Sequence, residues 1–197
     1  MAVLKPFRCV RPAPGQAEKT AALPYDVFNE REARIETAAN PLSFLNIDRP
    51  ETQFPEGTDP CGEEVYQMAK ELFEEMIRQG IYVEDGEEAY YIYELTMGGR
   101  SQTGVVGCAA VDDYLSGVIK KHENTREEKE QDRIRHVDAL NAQTGPIFLA
   151  YRASEAVSRA VERYKSGEAL CDFTAADGVR HRVWKVSGEE RIRNLEK

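Results

Sequence analysis

The stretch "AYYIYELTMGGRSQTGVVGCAAV", residues 89–111, alternates apolar and polar side chains on either side of Gly98-Gly99. Successive strand residues face opposite sides of a sheet, and glycine enters positive φ without strain. Two alternating runs joined by paired glycines therefore predict a β-hairpin. A second hairpin is expected further on, where "ALCDFT" (169–174) and "GVRHRVWKV" (178–186) flank Ala176-Asp177-Gly178. Between the two lie "GPIFLAY" (145–151), which reads as a buried strand, and "SEAVSRAVERYKSG" (154–167). The latter reads as an amphipathic helix carrying Val157, Ala160, Val161 and Tyr164 on one face.

Upstream, a helix is expected from Asp59-Pro60 to Gly80, because Val65, Ala69, Leu72, Phe73 and Met76 recur at helical spacing. Asn29 followed by Glu32 has the spacing of a capping box, and Asn40-Pro41 stops the helix that it opens. Val3–Val10 and "LSFLNI" (42–47) read as strands, and "DRPETQFPEGTDP" (48–60) as a loop that either crosses the surface or carries function. Strands, hairpins and helices alternate irregularly. That order predicts an α+β fold, a mixed sheet with β-hairpins and packed helices, over a doubly wound parallel sheet. Residues 1–97 form an N-terminal region and 98–197 a second, expected to fold together as one compact unit.

The 197 residues are 41% hydrophobic, enough to build a core. There is no apolar run of membrane-spanning length and no signal-peptide centre in "MAVLKPFRCVRP", so a cytoplasmic protein without a membrane span is expected. Cys9, Cys61, Cys108 and Cys171 lie far apart, against a zinc ribbon or a thioredoxin-type pair, and Cys108 and Cys171 read as small core residues. A net charge of -9 argues against nucleic acid as a partner, since such binding needs many phosphates neutralised. Local cations at Arg100, "IKK" (119–121) and "DRIRHVD" (132–138) suit a small anion better than a duplex.

The densest charge lies in "GVIKKHENTREEKEQDRIRH", residues 117–136. Thr125 and Glu128 have capping-box spacing, so a helix is expected to start at Thr125, with its unpaired N–H groups facing His122, Glu123 and Asn124. Lys129, Asp132, Arg133 and His136 then fall on one face, with Ile134, Val137 and Leu140 turned inward. Like charges one turn apart cost about 0.2–0.5 kcal/mol, which an anion bound between Lys129 and Arg133 would offset. The same segment also reads as a solvated helix, laced by Arg126–Glu130, Glu130–Arg133 and Asp132–His136 pairs. His122 and His136 lack zinc-pair spacing, and His181 reads either as a hydrogen-bonded core histidine or as a site contact. Gly98-Gly99-Arg100 is either a plain turn or a phosphate contact. No GxxxxGK[ST], GxGxxG or GxSxG motif is present.

"PFRCVRP", "LPYDVFN", "NPLSFLNIDRPE", the run from Met97 to Arg152 and "DGVRHRVWKV" together resemble the bacterial and archaeal domain-of-unknown-function 1015 family nearly end to end. That family is labelled SpoOJ/ParB-like and is similar to the ParB and sulfiredoxin superfamily, which includes nucleotide-binding ParB domains, sulfiredoxins and free-serine kinases. The resemblance implies a ParB/sulfiredoxin-like portion in the C-terminal half, beginning with "NTREEKEQDRIRHVDALNAQTGPIFLAYR". It implies ATP or ADP with magnesium, the ion held mostly by the nucleotide phosphates. It also implies phosphotransfer to a small hydroxyl metabolite, with Glu123 as general base and Arg100, His122, Lys129, Arg133 and His136 as phosphate contacts. A non-enzymatic ParB-like nucleotide-binding or interaction module is the alternative. Longer family members carry a downstream D-G-H-H-R box. None occurs here, so an N-terminal part with an incomplete nucleotide site is expected.

Overall fold

The computed structural model describes residues 2–122 and 124–188. The elements run β1 (Leu4–Lys5), β2 (Val10–Pro12), α1 (Ala17–Thr20), α2 (Glu30–Ala39), α3 (Leu45–Asp48) and α4 (Glu63–Arg78). They continue with β3 (Tyr82–Glu84), β4 (Tyr90–Met97), β5 (Arg100–Val106), β6 (Cys108–Ala109), α5 (Val111–Leu115) and α6 (Glu127–Leu140). Last come α7 (Glu155–Lys165), β7 (Cys171–Thr174) and β8 (Arg180–Val186). The α+β expectation holds at this level: small antiparallel sheets with several helices.

The chain divides into two compact units. Met1–Glu18, Val83–Glu123 and Ala150–Lys197 make the first, and Lys19–Tyr82 with Asn124–Leu149 the second. Residue 97, the boundary expected from the sequence, falls at the β4–β5 turn inside the first unit.

The first unit is organised by an antiparallel sheet in the order β5-β4-β8-β7. Both predicted hairpins form. Met97 faces Arg100 across the first turn, where Gly98 and Gly99 take φ of 56° and 78°, a pair of left-handed conformations that residues with a Cβ resist. Phe173 faces His181 across the second, which Asp177 closes by accepting from the Val179 N–H at 2.9 Å. Period-two alternation sends Tyr90, Ile92, Trp184 and Val186 to one face, where they pack with Val161, Val157 and Tyr164 of α7. The Trp184 indole N–H donates to the Gly167 carbonyl at 3.1 Å. On the opposite face the His181 ring stacks on Phe173 at 5.0 Å, and its Nδ1 lies 2.7 Å from the Tyr93 hydroxyl. β1 pairs with β6, close over Gly107, where an added Cβ would come within 2.9 Å of Leu4 and 3.0 Å of the Lys5 carbonyl. The strand expected over Val3–Val10 is instead two short ones, β1 and β2, separated by Pro6–Cys9. Cys171 is half-buried, but Cys108 is exposed rather than a core residue, because β6 runs for only two residues and sends that side chain outward.

The second unit is helical. α2 opens with the predicted capping box: the Asn29 side chain accepts from the Glu32 N–H and the Glu32 carboxylate accepts from the Asn29 N–H, both at 3.0 Å. α4 buries the expected stripe, with Val65, Ala69, Phe73 and Met76 facing inward. It starts at Glu63, because Asp59 spends its carbonyl and carboxylate on a turn, accepting from the N–H groups of Gly62 and Cys61. "LSFLNI" is not a strand. Its Leu and Ile favour a buried segment, but Ser43 takes the Leu45 and Asn46 N–H groups, and the backbone coils into α3 with Leu45 and Ile47 fully buried. "GPIFLAY" also forms no strand; its apolar run has no ladder partner among the described residues and lies exposed.

Candidate functional site

The charged segment forms α6, which begins at Glu127 and packs against α4. Arg126 occupies the cap position and no side chain caps the helix, so the Thr125–Glu128 capping box does not form. Glu127, Glu128 and Glu130 crowd the first turn, where carboxylates are favoured by the positive end of the helix dipole. Three acids there disfavour a second anion at the helix start. The cationic part of the segment lies further along, on the helix flank.

Lys129 is exposed and has no ion-pair partner among the described residues. One turn later Arg133 is held from two sides. Its Nε and Nη2 donate to Asp132 at 3.2 and 2.9 Å, and its guanidinium carbon sits 4.6 Å from the centre of the Tyr25 ring. Asp132 is itself fixed by the Tyr66 hydroxyl, which donates at 3.0 Å. Arg133 Nη1 has no partner among the described residues. The expected shared face therefore exists for Lys129, Asp132 and Arg133.

His136 has another role. It is 1% exposed; its Nε2 donates to the Ile47 carbonyl at 2.9 Å and its Nδ1 accepts from the Thr144 hydroxyl at 3.5 Å. Burial holds its pKa below the ordinary value, so the ring is neutral. It joins α6 to α3, and Ile134, expected inward, is the exposed residue instead. The helix turns in this sense because a hydrogen-bonded imidazole fills the buried position beside Leu140. Arg100 is exposed at the start of β5 and His122 is exposed; both belong to the first unit, whereas Lys129, Arg133 and His136 belong to the second. Glu123 lies outside the described residues.

Sequence reasoning missed Asp48 and Tyr25. Asp48 ends α3 near Arg133, and burial raises its pKa to about 6, with Arg133 and Thr144 drawing it back down. A carboxyl raised in the folded state binds its proton more tightly there than in the unfolded chain. Its contribution therefore favours the fold below its unfolded pKa, near 3.8, and is lost as pH rises through about 6. Asp48→Asn should stabilise the protein at pH 7 by about 1–2 kcal/mol, the full shift being discounted for partial exposure, and by almost nothing at pH 4. Thermal melts at the two pH values check this, and a destabilised variant at pH 7 would contradict it.

A second charged group, in the first unit, was also missed. Glu94 is 2% exposed on the α7 side of the sheet and accepts from Lys165 at 2.6 Å, from Thr103 at 2.9 Å and from Arg182. Burial alone would raise its pKa; the bonds from Lys165, Thr103 and Arg182 outweigh that and hold it low. Arg182 Nε is buried without a partner, and its guanidinium lies 5.2 Å from the Trp184 ring. The sequence carried a signal for this. In "YYIYELTM" Glu94 sits in register with Tyr90 and Ile92, so an acid occupies an inward position and needs a cation.

Among the described residues, no group of three or more His, Cys, Asp or Glu side chains is placed to hold a metal ion, and no helix is long and apolar enough to cross a membrane. Residues 4–197 match the family described as "Protein of unknown function (DUF1015)", and the chain belongs to that family. Comparison with curated proteins and with solved structures returned no match.

Proposed function

We propose that the exposed flank of α6 binds phosphate, and that the chain contributes this surface to a nucleotide-dependent domain. One observation carries the reading: Lys129, exposed and without an ion pair among the described residues, stands one turn from Arg133, whose fork is preoriented by Asp132 and Tyr25 and whose Nη1 has no partner among those residues. The resemblance to nucleotide-binding relatives supports ATP or ADP as the phosphate source, with magnesium held mostly by the phosphates themselves. His136 takes no part, since its ring nitrogens are engaged inside the fold.

Phosphoryl transfer to a small hydroxyl metabolite would add one requirement, a base to accept the hydroxyl proton, and Glu123 is the residue proposed for it. Without that step the same surface serves a non-enzymatic binding module. Calorimetric titration with magnesium-ATP, magnesium-ADP and pyrophosphate tests the binding. Lys129→Ala should weaken it about tenfold, the loss of one charge-assisted contact. Asp48→Asn should strengthen it, because a carboxylate near Arg133 becomes neutral. Glu123→Gln should leave affinity unchanged and abolish turnover where turnover exists. Equal binding by wild type and Lys129→Ala would remove the α6 flank from the account.

A further inference from the structure

Gly145 to Arg152 run without regular structure and leave Ile147, Phe148, Leu149 and Tyr151 exposed by 75%, 77%, 40% and 62%. Among the described residues no hydrogen bond engages the backbone of this segment. A row of unpaired N–H and C=O groups flanked by large apolar side chains is a template for strand pairing. Residues 139–154 also contain no carboxylate, in a chain with 35 Asp and Glu, so a second acidic molecule can approach here without charge repulsion.

We propose that this segment pairs antiparallel with the same segment of a second copy, about a two-fold axis through Leu149. In that register Ile147 faces Tyr151, a β-branched residue against an aromatic one, and Phe148 faces Ala150, large against small. Arg152 faces Pro146, so no like charges meet. Side chains of this size each present roughly 150–250 Å². The exposed fractions then amount to on the order of 400–600 Å² per copy, about 800–1,200 Å² over both copies, at or below the lower end of the roughly 1,200–2,000 Å² that a stable complex buries. The dimer is weak and reversible.

Sedimentation of the full chain from about 10 µM to about 1 mM, the range that a small interface implies, should show a concentration-dependent dimer. Leu149→Asp, at an exposed position, should raise its dissociation constant at least tenfold while circular dichroism stays unchanged. With Cys61 and Cys108 replaced by serine and oxidised glutathione as oxidant, Leu149→Cys should form an intermolecular disulfide faster than Tyr151→Cys, because only position 149 meets itself. A monomer at every concentration overturns the proposal, and would leave the segment to a strand of another polypeptide or to solvent. A dimer indifferent to Leu149→Asp, or one that cross-links fastest through Tyr151→Cys, overturns it equally.

Discussion

Replacing Glu94 with alanine should lower the stability of the first unit by about 3–5 kcal/mol, the range for removing one partner of a buried ion pair. The carboxylate is the shared acceptor of Lys165 and Arg182, and it is nearly inaccessible to water. Without it two cations face each other at the edge of the core, and Arg182, whose Nε already lacks a partner, loses its one ion pair among the described residues. Lys165 keeps Glu162 at 2.9 Å and both cations reach solvent in part, which places the effect toward the lower end. At about 2–4 °C per kcal/mol, the melting temperature should fall by at least about 6 °C. Glu94→Gln should recover little of this, since it restores length but not charge. The pH dependence follows from the depressed carboxyl: its contribution is present above the ordinary glutamate range and lost as pH falls through the lower folded pKa. A Glu94→Ala variant melting within about 2 °C of wild type would show that the pair is not a structural element.

His136→Ala should cost about 2–4 kcal/mol, because it empties a buried position and leaves the Ile47 carbonyl without its donor. The acid limb of the stability profile separates this residue from Asp48. A histidine whose folded pKa is lowered favours the fold above its unfolded value, near 6.5, and that contribution declines as pH drops from there toward the folded pKa. Asp48 acts in the opposite sense over pH 4 to 6, so the two partly cancel in the wild type. Asp48→Asn should therefore steepen the loss of stability on acidification, and His136→Ala should flatten it. The checks are melts from pH 4 to 7.5 on both variants; a His136→Ala protein as stable as wild type would mean that the ring is dispensable to the fold.

The parts of the fold legible in the sequence are those whose causes are local. The Asn29 capping box, the apolar stripe of α4 and α7, and the glycines of the two hairpins each act within a few residues, and each is where periodicity placed it. The misreadings have two sources, local hydrogen bonding and charge that composition does not reveal, and partners distant in the chain. Leu42–Ile47 has strand-like composition, but burial of Leu45 and Ile47 on all sides suits a short helix as well as a strand. Thr125 and Glu128 had the spacing of a cap, yet three glutamates in the first turn of α6 satisfy the dipole without one. On the α6 face, Lys129, Asp132 and Arg133 followed from the 3.6-residue period. His136 departs from that face because its partners, Ile47 and Thr144, lie elsewhere in the chain. Asp48 and Tyr25 were invisible for the same reason, being more than eighty residues from Arg133.

The most direct test of phosphate binding at α6 is an amide chemical-shift titration of the full chain with pyrophosphate and then with magnesium-ATP. Shifts are expected to concentrate at Arg126–Val137, with the Arg133 side-chain Nε–H among the most displaced and with the response reduced in Lys129→Ala. Shifts that cluster instead around the Glu94, Lys165 and Arg182 group, or an unchanged spectrum at millimolar ligand, would contradict the assignment.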